Sequence, residues 1–403
     1  MLRTSAPPAS VIGLALVAVF SGRARGQDVD FPPSGKQLSQ IEAMAHADSN
    51  EASLHYYRGL GYWGKHKFDE ADSALRLAIQ LDPRYADAYL ALAYLPYVRR
   101  DQLFDEEIRD RVPDAWKPRL EESNRFYQRA FMIDPLVSLR IISLVWSVDE
   151  RGFRDYTSEE SQLYQLYFEG FVDLSKGRYG LAYDRFVRLA RRVYDEEKHP
   201  EKVPNFLLWH RGLAAAHSLK YDAAIADFQL LLDRAERKER QDALMRVPLR
   251  TNEYRFMLAA LERAAGHLDK AEARFKEAAA NDLGLYMAHV YLADIYEQQK
   301  RWPEAVTEHR RAVEANPDDY SLELDLGMLL FNLEQTKEAQ GPIEKAVAQY
   351  PRAALGHYLL GRIGEELGRP ADAKTHFAQF VALAPHRLDD LVSDAKQRLA
   401  KLP

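Results

Sequence analysis

The 403-residue chain contains no cysteine. That absence excludes disulfides, thiol nucleophiles, cysteine-ligated metals and a lipid-modified cysteine behind a leader. Basic residues are not in excess either. Fifty-five Lys and Arg against 61 Asp and Glu leave a formal charge of −6, which gives no electrostatic footprint for nucleic acid. The apolar run Val11 to Phe20 is ten residues long, too short for a spanning helix, which needs about 20. There is no Walker-type glycine loop, no H-E-x-x-H, no G-x-S-x-G and no EF-hand loop. The sequence therefore presents no known catalytic constellation and implies no cofactor and no metal.

Residues 1–26 have the form of a secretory signal peptide: Arg3, the apolar run, then the small-x-small triplet Ala24-Arg25-Gly26, with Gln27 as first mature residue. Arg23 and Arg25 follow the apolar run, so an uncleaved anchor and a misassigned start are alternatives. Cleavage leaves no stable membrane span, and the expected location is periplasmic or secreted. Residues 27–51 read as a linker and an N-terminal helix, with Leu38, Ile41 and Met44 or Ala45 on one face.

What the chain does have is a period. Ala271, Ala305, Ala339 and Ala373 fall 34 residues apart, and Ala278, Ala312, Ala346 and Phe380 follow seven residues after each. Leu258, Leu292, Leu326 and Leu360 precede them by thirteen, each followed by alanine or glycine: Ala259, Ala293, Gly327 and Gly361. Pro317, Pro351 and Pro385 close the last three units. A fixed spacing of this length marks stacked structural repeats.

One unit, 286–319, shows the physics. Leu292, Ala293 and Tyr296 recur at helical spacing. Lys300-Arg301-Trp302-Pro303 interrupts them, and Pro303 suits the first turn of a second helix, where its missing N–H costs nothing. Ala305, His309 and Ala312 share one face of that second helix. Asn316-Pro317 ends it, because a residue before proline avoids the α region. Two such helices cannot cover both apolar faces alone, so neighbouring units must stack.

This pattern resembles the tetratricopeptide repeat family. Unit 52–85 carries it as Gly59, Tyr62, Phe68, Ala71, Leu75, Ala78 and Pro83. Units 163–196 and 205–238 carry it as Gly170, Tyr179, Ala182, Phe186, Leu189 and as Gly212, Tyr221, Ala224, Phe228, Leu231. The resemblance implies an all-α, right-handed superhelical solenoid of stacked helical hairpins with a concave, partner-binding face. On that basis the chain divides into an N-terminal pair of repeats at 52–135, irregular repeat-like units at 136–251, a regular array at 252–385 and a capping helix at 386–403. The first pair is broken by a polar insertion at 99–118. Pro96 falls late in one first helix, and Pro342 lies within a second helix, where a bent turn is expected.

His210 and His217 lie seven apart on one helix, whereas a helical metal pair sits three or four apart, so packing is the expectation. His55, His289 and His357 share one slot of the repeat and read as packing residues. Asp105-Glu106-Glu107 and Asp195-Glu196-Glu197 are flanked by Lys or Arg and read as solvated loops.

In the resembled family the concave lining lies opposite the leucine–glycine pair. Carried onto this sequence, it comprises Tyr56, Trp63, Tyr94, Tyr97, Tyr164, Tyr167, Phe171, Phe206, Trp209, Phe256, Phe331 and Tyr358. Rings at these positions also suit packing between hairpins, yet they are more numerous than packing needs. Aromatic rings dominate binding hot spots. The resulting expectation is an exported, non-enzymatic scaffold or adaptor that holds a protein or peptide partner, extended or proline-rich, in an aromatic groove. A glycan- or cell-wall-binding module, and an enzyme built on the insertions, are the alternatives. The Lys, Asn and Arg set that clamps C-terminal carboxylates in part of the family is replaced here by Tyr56, Leu60, Leu90 and Tyr94.

Overall fold

The small residues of the 34-residue period sit where helices cross. Ala271, Ala305, Ala339 and Ala373 are fully buried, as are Ala278, Ala312, Ala346 and Phe380. The computed structural model describes residues 32–98, 117–137, 159–241 and 251–403. Among these residues there is no strand, and the helices are α1 (Gly35–Ala47), α2 (Ala52–Gly64), α3 (Phe68–Leu81), α4 (Ala86–Val98), α5 (Lys117–Ile133), α6 (Glu159–Ser175), α7 (Tyr179–Tyr194), α8 (Asn205–His217), α9 (Tyr221–Gln241), α10 (Thr251–Ala264), α11 (Leu268–Asn281), α12 (Tyr286–Gln298), α13 (Trp302–Ala315), α14 (Tyr320–Asn332), α15 (Thr336–Gln349), α16 (Ala354–Glu366), α17 (Pro370–Leu383) and α18 (Asp389–Leu399). The fold is an all-α solenoid of stacked hairpins. The signal segment 1–26, nearly all of the 99–118 insertion, and the side chains of Tyr97 and Tyr164 lie outside the described residues.

Each hairpin closes on one rule. One residue of each first helix is small because a large side chain of the second helix, sixteen residues on, occupies its Cβ position. A Cβ on Gly59 would meet Leu75 at 2.8 Å, and one on Gly327 would meet Ile343 at 2.3 Å. On Gly170, Gly212 and Gly361 it would meet Phe186, Phe228 and Phe377, each at 2.6 Å. Where alanine stands instead, at Ala259 and Ala293, the residues sixteen on are the buried Phe275 and His309. In α5, Ser123 replaces the spacing alanine and donates its hydroxyl to the Ala93 carbonyl at 2.5 Å.

The turn inside each hairpin repeats as well. Gly266, Lys300, Glu334 and Gly368 all have left-handed φ, between 59° and 82°. Beyond them the amides of His267, Arg301, Gln335 and Arg369 donate back to the carbonyls of Glu262, Tyr296, Leu330 and Gly364. This is the six-to-one closure of a Schellman turn, which satisfies carbonyls that the helix end leaves open. His66, Gly177 and Leu219 do the same in α2–α3, α6–α7 and α8–α9.

Two compact units result, one of residues 55–315, the other of 316–403 with the N-terminal residues up to 54. In the first, α4–α5, α6–α7, α8–α9, α10–α11 and α12–α13 pair, and α3–α4, α7–α8, α9–α10 and α11–α12 stack them in order. In the second, α14–α15 and α16–α17 pair, α15 stacks on α16, and α18 covers α17. There α1 opens with a capping box between Ser34 and Gln37 and buries Leu38, Ile41 and Ala45, while Met44 stays exposed. The turn after α1 meets the turn after α17: Asp48 accepts from the His386 amide at 2.9 Å, and Arg387 pairs with Glu51 at 2.8 Å. Helix α4 runs through Pro96, and α15 runs through Pro342. Helix α9 is 21 residues long and carries the charged tract after Leu231.

Candidate aromatic site on α6 and α8

Helices α6 and α8 are the first helices of consecutive hairpins, fixed by Phe186 behind Gly170 and Phe228 behind Gly212. Tyr167 and Trp209 each lie three residues before these glycines, so both leave the same helix face toward the next hairpin. Tyr167 reaches α8. Its ring lies edge-on to Phe206 at 5.0 Å, and its Oη is 3.1 Å from Nδ1 of His210. Phe171 closes the other side of His210, edge-on at 5.4 Å. Trp209 reaches onward to Tyr254 of α10 at 6.0 Å and packs on Phe228 at 5.2 Å. Tyr167, Phe206, Trp209 and Tyr254 thus form a ladder across three first helices. Phe206 is 49% exposed.

The ladder is electrically quiet. Burial pushes the His210 pKa down to about 4, against a hydrogen bond to the Phe206 backbone that favours the charged ring. The imidazole is therefore neutral near pH 7. Burial likewise raises the Tyr167 phenol. The flanking charges are matched to one another. Arg185 pairs with Asp173 at 2.7 Å and with Glu169, and Arg178 pairs with Asp173 at 2.5 Å. Arg211, buried on α8, is bidentate to Asp227 at 2.5 and 2.9 Å and contacts Glu196 at 2.7 and 2.9 Å. Burial disfavours the Arg211 charge, but its hydrogen bonds to Asp227 and Glu196 outweigh it and raise its pKa. A buried pair of this kind is weak evidence of added stability.

The remaining expected lining residues are dispersed. Tyr56, Trp63, Phe256, Phe331 and Tyr358 lie in the core. Tyr56 packs on Tyr57 and Tyr85, and Phe331 lies under Arg362 at 5.6 Å. Tyr358 donates to Asp394 at 2.7 Å, tying α16 to α18. Tyr94 is half-buried in α4. The sequence reading passed over His210 and Tyr254 as members of the face. The signal was present, since His210 follows Phe206 by four residues and must share its helical side. His210 and His217 do not converge, because His217 stacks on Tyr179 at 4.4 Å. Among the described residues no group of three or more His, Asp or Glu could hold a metal ion, and no helix is long and apolar enough to cross a membrane.

A family model described as tetratricopeptide repeat matches residues 256–320 and 324–387. No curated protein matches the chain. Among solved structures, the chain is similar to the C-terminal part of a TPR repeat-containing protein from Cytophaga hutchinsonii. The two are 12% identical, the match covers 59% of this chain and 87% of that one, and the TM-score is 0.47. It is also similar to MamA (AMB-1), at 21% identity over 49% of this chain and 97% of that one, with a TM-score of 0.35.

Proposed function

The chain belongs to the tetratricopeptide repeat family, and we propose that it is an exported, non-catalytic scaffold that docks an extended peptide of a partner protein on α6 and α8. Tetratricopeptide repeats support a protein–protein interaction scaffold. The observation that carries the finer reading is the half-exposed Phe206 held edge-on to Tyr167 beside a neutral His210. Such rings offer contact area at low entropic cost. With the neighbouring carboxylates already matched to arginines, the suited ligand is a proline-rich or otherwise uncharged extended segment, whose preformed backbone loses little entropy on docking. Export rests on the reading of residues 1–26, and the N-terminal sequence of the mature protein checks it: Gln27 is expected.

The docking is tested with proline-rich peptides selected by display against the full chain. Phe206→Ala, at the half-exposed ring, should weaken the selected peptide at least tenfold while leaving the thermal unfolding midpoint near wild type. Unchanged affinity would remove the aromatic face from the account. Selection of glycans but of no peptide would move it to a carbohydrate-binding reading.

A further inference from the structure

Within the unit 55–315, a set of contacts among the described residues joins hairpins that are not consecutive. In a solenoid each repeat touches the next one. Here the C-terminal turn of α5 touches α10 and α12, more than a hundred residues away. The phenol of Tyr291 on α12 donates to the main-chain carbonyl of Ile133, the last residue of α5. The Arg129 guanidinium lies 4.6 Å from the ring of Tyr286 on α12 and 5.9 Å from Tyr89 on α4. Phe131 faces Phe256 of α10 at 6.3 Å.

Each contact meets a chemical need on both sides. The last carbonyls of a helix have no partner within it, and a buried phenol requires an acceptor. Tyr291 is buried, and its ring is held from behind by Phe275, stacked at 5.1 Å, and by Arg263 at 4.6 Å. Phe256 is likewise buried, with Phe131 as one of its walls. Helix α5 keeps its own hairpin partner independently, through the Ser123 bond to Ala93.

We propose that the faces of α10 and α12 around Phe256, Tyr286 and Tyr291 form a receptor for a helix end, occupied in cis by α5. The partner it fits is a helical segment whose final turn presents arginine, an aromatic ring and an aliphatic residue at i, i+2 and i+4, followed by an open carbonyl. Such a segment binds by displacing the end of α5. The cis occupant competes at an effective concentration of order millimolar, so the receptor is closed to weak ligands. This face adjoins the ladder on α10, where Tyr254 and Phe256 lie two residues apart, but the two readings rest on different contacts and are tested by different variants.

The test uses the full chain and a labelled peptide of residues 117–137, followed by fluorescence anisotropy. The double variant Arg129→Ala, Phe131→Ala weakens the cis occupant. It should bind the peptide at least tenfold more tightly than wild type, and adding Tyr291→Phe should reverse most of that gain. Equal affinities, or no binding to a double variant with wild-type circular dichroism, would overturn the proposal. Should the double variant not fold, hydrogen exchange on the wild-type chain decides. Amides of α5 exchanging through an opening that leaves α10 and α12 protected would support it. Exchange of all three helices as one unit would overturn it.

Discussion

A Cβ placed on Gly361 would stand 2.6 Å from the ring of Phe377, a side chain with no exposed surface. The ring cannot swing aside, because Tyr358 lies against it at 6.0 Å and the surrounding core is closed. Gly361→Ala should therefore cost about 1–3 kcal/mol, as overfilled cores do, even though alanine is the better helix former. Urea unfolding checks it. Gly180→Ala is the control, since nothing beyond its chain neighbours lies within 4 Å of a Cβ there and no proline follows it. That substitution should not destabilise.

The hairpin turns carry the opposite opportunity. Leu219, Lys300 and Glu334 have φ near 60°, a region in which L side chains crowd the following carbonyl. Leu219 is also 73% exposed, so its side chain gains little from packing. Replacement by glycine relieves the strain and loses some of the gain to greater freedom of the unfolded chain. Leu219→Gly should raise stability by about 0.5–1 kcal/mol. Lys300→Gly should gain less, because the Lys300 cation sits just past the C-terminal end of α12, where it favours the helix dipole. Thermal melts of the two variants test the order.

Acid sensitivity follows from His210. Its folded pKa of about 4 lies below the ordinary 6.5 because burial disfavours the charged ring. The unfolded chain therefore binds the proton first. The contribution is whole above pH 6.5 and is lost as pH falls from 6.5 toward 4. At about 1.4 kcal/mol per pH unit, the loss reaches roughly 3 kcal/mol. His210→Phe removes it, so the stability difference between variant and wild type should shift toward the variant by roughly 2–3 kcal/mol between pH 7.5 and 4. Denaturant midpoints at several pH values measure that shift. A constant difference would mean that His210 is solvated in the folded chain.

The period was readable because close packing writes it into residue size. Only small residues fit at Ala271, Ala305, Ala339 and Ala373, and the fold follows from them. The fate of the rings was less readable. A helix position says which side a ring leaves, but not whether the next hairpin covers it. Thus Tyr167 and Phe206 remain accessible while Phe256 and Tyr358, on comparable faces, are sealed by Phe131 and by α18. Contacts that skip repeats leave no trace in a nearest-neighbour pattern, and the bond from Tyr291 to Ile133 is one of them. His210 could have been placed, because its spacing from Phe206 fixes a shared face.

The most direct measurement of the scaffold reading is a hydrogen-exchange footprint of the full chain with a saturating proline-rich peptide. The account predicts new protection in α6 and α8, centred on the turns that carry Tyr167 and Phe206, and its loss in Tyr167→Ala. Protection confined to other hairpins, or none at a peptide concentration that saturates binding, would contradict it.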